Sequence, residues 1–328
     1  MRGFDYYKAT TVAQAISLLT RYQEKAAILA GGSDILTMMK DRLQGPKLRA
    51  PQHLIDIKGI KDLNSIREQK SGLRIGATVT LSNIASSPLV GKFPLLSQAA
   101  SQVAVSQIRN VGTLGGNLCQ RARCWYFRGK LFKNCFHKGG DNCYALAGEN
   151  QYHAVFPADN CCMICPSDMA TALTALHAHV EIASPKGSKL IPIEQLYLRP
   201  EKNPLRETVL SSAEMVLSVV IPVPETGSKG IYLKLKEREA FDFAIVSVAA
   251  IVTFKGDIVS SARIVLGGVG PAPLRATGAE AALKGKKIRD SIDAACTAAV
   301  EGARPLTNNG YKVKAAQGIV EKALNSLA

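Results

Sequence analysis

The sequence predicts an α+β fold in three parts: a small α/β unit, a longer α/β region interrupted by a Cys-rich insertion, and a C-terminal unit of antiparallel strands followed by helices. Three observations predict it. Helical and strand patterns alternate through residues 1–121. Seven of the eight cysteines crowd into residues 119–165, a stretch with little periodicity. From Gly230 the texture changes to successive strand patterns and then an Ala-rich tail. These place the parts at residues 1–58, 59–224 (with the insertion at about 122–163) and 225–328.

The elements follow in order. TTVAQAISLLTRY opens on Thr and carries Val12, Ile16, Leu18 and Leu19 on one side, so it predicts an amphipathic helix. AAILAGG (26–32) is a short apolar run ending in two glycines, a strand entering a tight turn. SDILTMMK (33–40) starts a helix, with Ser33 or Asp34 available as its cap. HLIDIKGI (53–60) alternates as a strand does, and GLRIGATVTLSNIASSP reads as a strand and a capped helix. PLLSQAASQVAVSQIRNVGTLGGNL predicts one helix running into a glycine loop. PSDMATALTALHAHVEIASPKG gives a helix, a strand and a turn, and AEMVLSVVIPVP a strand ending at prolines. The tail from residue 277 is helical, with Cys296 as a small core residue.

The chain has 328 residues and a net charge of +15, from 41 Lys+Arg against 26 Asp+Glu. The bases are scattered and no aromatic-interleaved basic motif appears, so solvated faces and a partner surface are expected rather than nucleic-acid binding. No apolar run is long enough to span a membrane. The start lacks the features of a secretion signal, which predicts a cytoplasmic protein, or a periplasmic one exported with a signal-bearing partner.

Two glycine pairs are candidate phosphate cradles. AGGSDI (30–35) lies between a strand and a helix, where glycine lets backbone N–H groups approach an anion and a helix start adds a favourable dipole. It matches neither GxGxxG nor the P-loop. TLGGNL (113–118) is the second pair, with Asn117 able to hydrogen-bond a phosphate or a ribose. Each alone reads as a turn; together they suggest a dinucleotide gripped at its middle. The cysteines leave three readings open. Disulfides require an oxidising compartment. Structural zinc usually shows two close pairs, whereas only Cys162 and Cys165 form a CxxC here. An iron–sulfur cluster needs four thiolates and tolerates irregular loops.

AGGSDILTMMK, GATVTLSNIA, QIRNVGTLGGNL, PSDMATAL and YLKLKEREAFDFAIVSVAA resemble the FAD-binding (medium) subunits of molybdenum hydroxylases, the family of xanthine dehydrogenase, carbon monoxide dehydrogenase and aldehyde oxidoreductases. The resemblance runs through the whole chain in order. The insertion from Arg123 to Cys162 resembles that of 4-hydroxybenzoyl-CoA reductase β subunits and bacterial aldehyde oxidoreductase flavin subunits, which hold a [4Fe–4S] cluster there. The implied fold is vanillyl-alcohol-oxidase-like (PCMH-type), with two FAD-binding subdomains, an Fe–S insertion loop, and a C-terminal three-stranded antiparallel sheet plus helices. FAD would be held by Ala30, Gly31, Gly32, Ser33, Asp34 and Ile35, by Thr78 of GATVT, and by Thr113, Gly115, Gly116 and Asn117. Asp168 and Lys234 match a family acid and lysine near the flavin. Cys124, Cys135, Cys143 and Cys161 match the cluster ligands, with Cys162 or Cys165 as substitutes for Cys161, and Cys119 a packing residue.

The resemblance implies an electron-transfer subunit carrying FAD and a [4Fe–4S] cluster. Its partners would be a small [2Fe–2S] subunit, a large molybdopterin subunit and an external one-electron carrier such as ferredoxin. Two other classes compete: a standalone flavin dehydrogenase with its own substrate pocket, and a zinc-stapled basic nucleic-acid-binding protein.

Overall fold

A computed structural model of the chain describes residues 1–157 and 160–328; Ala158 and Asp159 of the Cys-rich insertion lie outside the described residues. The architecture is α+β, built on three sheets.

The first sheet is parallel, in the order β1 (Asp5–Lys8), β3 (His53–Asp56), β2 (Ala26–Leu29). Helix α1 (Val12–Tyr22) crosses between its strands, with the Thr11 hydroxyl accepting the Gln14 N–H at 3.1 Å, the cap its sequence calls for. It buries Ala15, Ile16 and Leu19 against the sheet. After β2 the chain turns at Gly32, whose φ of +76° suits glycine, into α2 (Ile35–Lys40).

The second sheet has five antiparallel strands in the order β4 (Ile66–Gln69), β5 (Gly72–Gly76), β8 (Met215–Pro222), β6 (His179–Ser184), β7 (Gly187–Pro192). Helix α3 (Leu81–Ser86) follows β5 and is capped by Thr80. The helix expected to run into a glycine loop within residues 94–118 is instead three helices: α4 (Pro94–Ser101), α5 (Ser106–Val111) and α6 (Leu114–Leu118). The first break has a visible cause, since Ala104 has a positive φ of 43°, which no α-helix contains. The second glycine pair therefore lies in a helical turn rather than a loop, and Thr113 caps it by accepting the Gly116 N–H at 3.2 Å. The insertion begins with α7 (Trp125–Arg128), one turn of helix, and α8 (Asp168–Ala175) follows it.

The third sheet is antiparallel. It has four strands rather than the three expected, in the order β12 (Leu274–Arg275), β11 (Ile258–Gly267), β10 (Val246–Lys255), β9 (Ser228–Leu235). The extra strand is two residues long, too short to leave a period in the sequence. Helices α9 (Thr277–Leu283), α10 (Ile292–Ala299) and α11 (Tyr311–Leu327) cover one face, burying Cys296 among them. Helices α4 and α8 meet the sheet as well, so Tyr232, Ala249 and Val265 share a core with Leu96, Met169 and Leu173. No described helix is long and apolar enough to cross a membrane.

Candidate functional site: a glycine-walled cleft beside a nest of thiols

The two glycine pairs meet in space. A Cβ on Gly31 would stand 2.1 Å from the Val111 carbonyl oxygen, so the turn between β2 and α2 packs directly on the end of α5. The α5–α6 junction is stitched in turn to the segment after β5: Leu81 N–H donates to Gly112 O (2.9 Å), Leu114 N–H to Val79 O (2.9 Å), and Gly115 N–H to Ala77 O (2.8 Å). Gly115 is tightly packed, since its Cβ would lie 3.0 Å from that of Ala77. Between these walls lies a cleft of about 430 Å³, within the range of cofactor sites. Ala30, Gly31, Gly32, Ser33, Asp34, Ile35, Thr113, Gly115, Gly116 and Asn117 all line it. The opening turn of α2 leaves backbone N–H groups without an internal partner, whereas those of α6 are taken up within the wall: Leu114 by Val79 O, Gly115 by Ala77 O and Gly116 by the Thr113 hydroxyl.

Three expected site residues lie elsewhere. Thr78 is buried beside the cleft residue Ala77, and its hydroxyl finds no partner among the described residues. Asp168 and Lys234 are not in the cleft wall; they form a buried ion pair at 2.8 Å, with the Tyr232 hydroxyl donating to Asp168 at 2.6 Å. Lys234 also donates to the Gln102 carbonyl at 3.1 Å. The pair ties α8 to β9. The neighbour of Asp168 in the chain reaches the cleft: the Ser167 hydroxyl caps α8 and donates to Asn117 Oδ1 at 2.6 Å.

The cleft also contains residues that the sequence did not single out. Gln120, Arg121 and Arg123 lead from α6 into the insertion, and Phe243 comes from the connection between β9 and β10. The signal for the arginines was the run QRARC, which joins the second glycine pair to the first insertion cysteine. Arg123 lies over the Phe243 ring at 4.9 Å. These two residues also line a neighbouring pocket of about 300 Å³ that has Cys124 and His153 in its wall.

Beyond that wall the thiols gather. Cys124, Cys135, Cys143 and Cys161 line one small apolar pocket, together with Cys162, His153 and Met163. Hydrogen bonds from Cys161, then Cys162, hold the Cys143 thiol far below the usual range, and the same contacts push both donors up. Burial pushes Cys124 up to about 12. His153 Nε2 lies 3.2 Å from Cys124 Sγ, and burial pushes the imidazole down, so it is neutral at pH 7. Cys119 and Cys165 are not part of this nest; both pack on the core of the second sheet near Tyr197, where burial pushes each up to about 12.

The insertion is held by side chains more than by ladders. Lys138, fully buried, donates to the carbonyls of Gly129 (2.7 Å) and Phe132 (3.0 Å). Glu207 pairs with the Arg121 guanidinium, Nε to oxygen at 2.6 Å, accepts the Ala122 N–H at 2.9 Å, and lies 2.7 Å from His137 Nε2. Burial alone would push the Glu207 carboxyl up; Arg121 and His137 outweigh it and hold the group well below the usual range.

Comparison with known proteins decides the family. Residues 2–224 match the model of the FAD binding domain in molybdopterin dehydrogenase, and residues 231–327 match that of the CO dehydrogenase flavoprotein C-terminal domain. The chain belongs to the FAD-binding subunits of the molybdenum hydroxylases. Among relatives of this FAD subunit, the aldehyde oxidoreductase FAD-binding subunit PaoB of Escherichia coli is 35% identical over 99% of this chain and 98% of its own length. The carbon monoxide dehydrogenase medium chain of Hydrogenophaga pseudoflava is 31% identical over 98% of this chain and 96% of its own. A solved carbon monoxide dehydrogenase from Hydrogenophaga pseudoflava superposes with a TM-score of 0.77 at 30% identity, covering 99% of this chain and 97% of that one. A molybdenum hydroxylase FAD subunit needs an extended anion-tolerant cleft, and the glycine-walled cleft meets that need: at Gly31 a Cβ would run into the Val111 carbonyl, and Gly115 packs tightly on Ala77.

The sulfur nest fits a cluster in its donor set but not in its present span. Among the described residues no three Cys, His, Asp or Glu side chains are arranged to hold a metal ion. The thiols close on about 10 Å³ of space, so seating a four-iron cubane would move them apart.

Proposed function

We propose that this chain is the electron-transfer subunit of a heterotrimeric molybdenum hydroxylase of the aldehyde oxidoreductase or hydroxybenzoyl-CoA reductase type. It would pass electrons between an external one-electron carrier, such as ferredoxin, and the [2Fe–2S] and molybdopterin subunits. One observation carries the proposal: Arg123 and Phe243 belong both to the glycine-walled cleft and to the pocket walled by Cys124. A flavin in the cleft and a cluster in the nest would lie on either side of this shared pocket, which Cys124 and His153 join to the nest. FAD exchanges one or two electrons and a [4Fe–4S] cluster one at a time, so the pair joins two-electron chemistry to a one-electron carrier.

The residues divide the work. The turn from Ala30 to Ile35 and the turn from Thr113 to Asn117 would hold the FAD pyrophosphate and its neighbouring groups. Thr78, buried beside Ala77, would support that wall. Asp168 and Lys234 would act through Ser167 and Asn117, fixing the cleft against the C-terminal sheet, rather than by touching the flavin. Cys124, Cys135, Cys143 and Cys161 would bind the cluster, with Cys162, in the same nest, a closer substitute for Cys161 than Cys165. The two α/β subdomains, residues 1–58 and 59–224, would form the PCMH-type FAD fold, and residues 225–328 its cover. Cytoplasmic residence, or export with a signal-bearing partner, suits this role equally.

Anaerobic purification with the companion subunits, followed by metal analysis, absorbance and EPR, tests the proposal. One FAD and about four irons per chain, with a cubane EPR signal on reduction, are expected. Flavin with zinc in place of iron, or turnover of an organic substrate by the chain alone, would overturn it.

A further inference from the structure

Asp34 sits in the turn proposed to hold the FAD pyrophosphate, where an acid is a liability. It stands at the start of α2, yet its side chain makes no capping hydrogen bond there. Both of its oxygens point to the insertion instead. Oδ1 takes Arg128 Nη2 at 2.7 Å and Arg123 Nη2 at 3.0 Å, and Oδ2 accepts the Arg121 N–H at 2.8 Å. The three partners bracket Cys124. Arg128 also donates to the carbonyls of Ala122 (2.8 Å) and Arg121 (3.1 Å), so it knots the strand that carries this cysteine. The side chains of Asp34, Arg123 and Arg128 are 18%, 24% and 17% exposed, so water compensates little when the contacts open.

We infer that Asp34 couples the two cofactor sites as a positioning residue: an ordered insertion neutralises it and so permits a diphosphate in the adjoining turn, and a diphosphate there favours the ordered insertion. This rests on the reading that the turn holds FAD and the insertion a cluster. The reason is electrostatic. With both guanidiniums in place the turn is neutral or positive. Were the segment from Arg121 to Arg128 to loosen with the thiols, a bare carboxylate would face the phosphates across the cleft. Binding free energies at two linked sites are reciprocal, so the dependence runs both ways.

The experiment uses the full chain in its complex. FAD affinity is measured by fluorescence quenching in two states, cluster-loaded and chelator-stripped. Stripping is expected to weaken FAD by about tenfold. Asp34→Asn removes the charge that creates the dependence, so its loaded and stripped affinities should agree within about twofold. Arg128→Met, which touches no cysteine, should lower FAD affinity towards the stripped value while iron content persists, and Asp34→Glu should restore part of the dependence. Wild-type affinities that agree in the two states, or a full dependence retained in Asp34→Asn, would overturn the inference. An iron-free wild-type complex would defeat the cluster reading separately. The coupling is then decided by Arg128→Met, supported if FAD weakens and overturned if it does not.

Discussion

The cleft and the insertion touch, yet they are held together by opposite means. The cleft is main chain against main chain: Gly31 on Val111, Gly115 on Ala77, and N–H to carbonyl bonds between the α5–α6 junction and residues 77–81. The insertion has single helical turns and few ladders. Its shape rests on charged side chains aimed at carboxylates and carbonyls, namely Arg128 and Arg123 on Asp34, Arg121 on Glu207, and Lys138 on two carbonyls. A backbone-built site is pre-formed and intolerant of added atoms. A side-chain-built one is intolerant of lost atoms and depends on a staple. That contrast suits a rigid dinucleotide seat beside a loop gathered around its thiols.

The contrast predicts a graded set of outcomes. Glu207→Gln should have the largest effect on stability, because it leaves the Arg121 charge buried without its partner; a loss of about 3–5 kcal/mol at neutral pH is expected in chemical denaturation. The same carboxyl gives the pH dependence. Its folded pKa is depressed, so its contribution is fully present above the ordinary carboxyl value of 4.5 and fades as pH falls below it. The gap between wild type and Glu207→Gln should therefore narrow towards pH 3, and a gap that is constant with pH would break the account. Gly31→Ala should come next, costing about 1–3 kcal/mol by overpacking against Val111. Its FAD content should fall more steeply than its iron content; equal losses would mean that the cleft is not backbone-built. Ser167→Ala removes the α8 cap and the bond to Asn117, and a loss of about 1 kcal/mol is expected by thermal unfolding. Leu131→Ser, at a side chain 89% exposed, should change stability by less than about 0.5 kcal/mol.

What the sequence made legible was local. The Thr start of TTVAQAISLL and the cap expected in GATVTLSNIASSP announce α1 and α3, the alternation in HLIDI announces β3, and the paired glycines announce walls without side chains, whereas the Ser167 cap of α8 passed unnoticed. The break at Ala104 was hidden, because nothing about an alanine signals a positive φ. The long-range pairs were hidden too: Glu207 meets Arg121 from 86 residues away, and Asp168 meets Lys234 from 66. Such contacts leave no period and no motif. Asp34 illustrates the limit, since its place in AGGSDI suggested a cap, whereas tertiary charge pairing took it for the insertion. The fourth strand of the third sheet, at two residues, is below the length at which alternation means anything.

On the proposed function, the cleft and the sulfur nest would form one electron path. The most direct measurement compares wild type with Cys135→Ser in the intact complex, following flavin reduction by the organic substrate and then electron delivery to ferredoxin. The account predicts that the variant keeps substrate-driven flavin reduction, reduced at most by the share of FAD lost with the cluster, and loses ferredoxin reduction. Unchanged ferredoxin turnover in a variant shown to lack the cluster would contradict it.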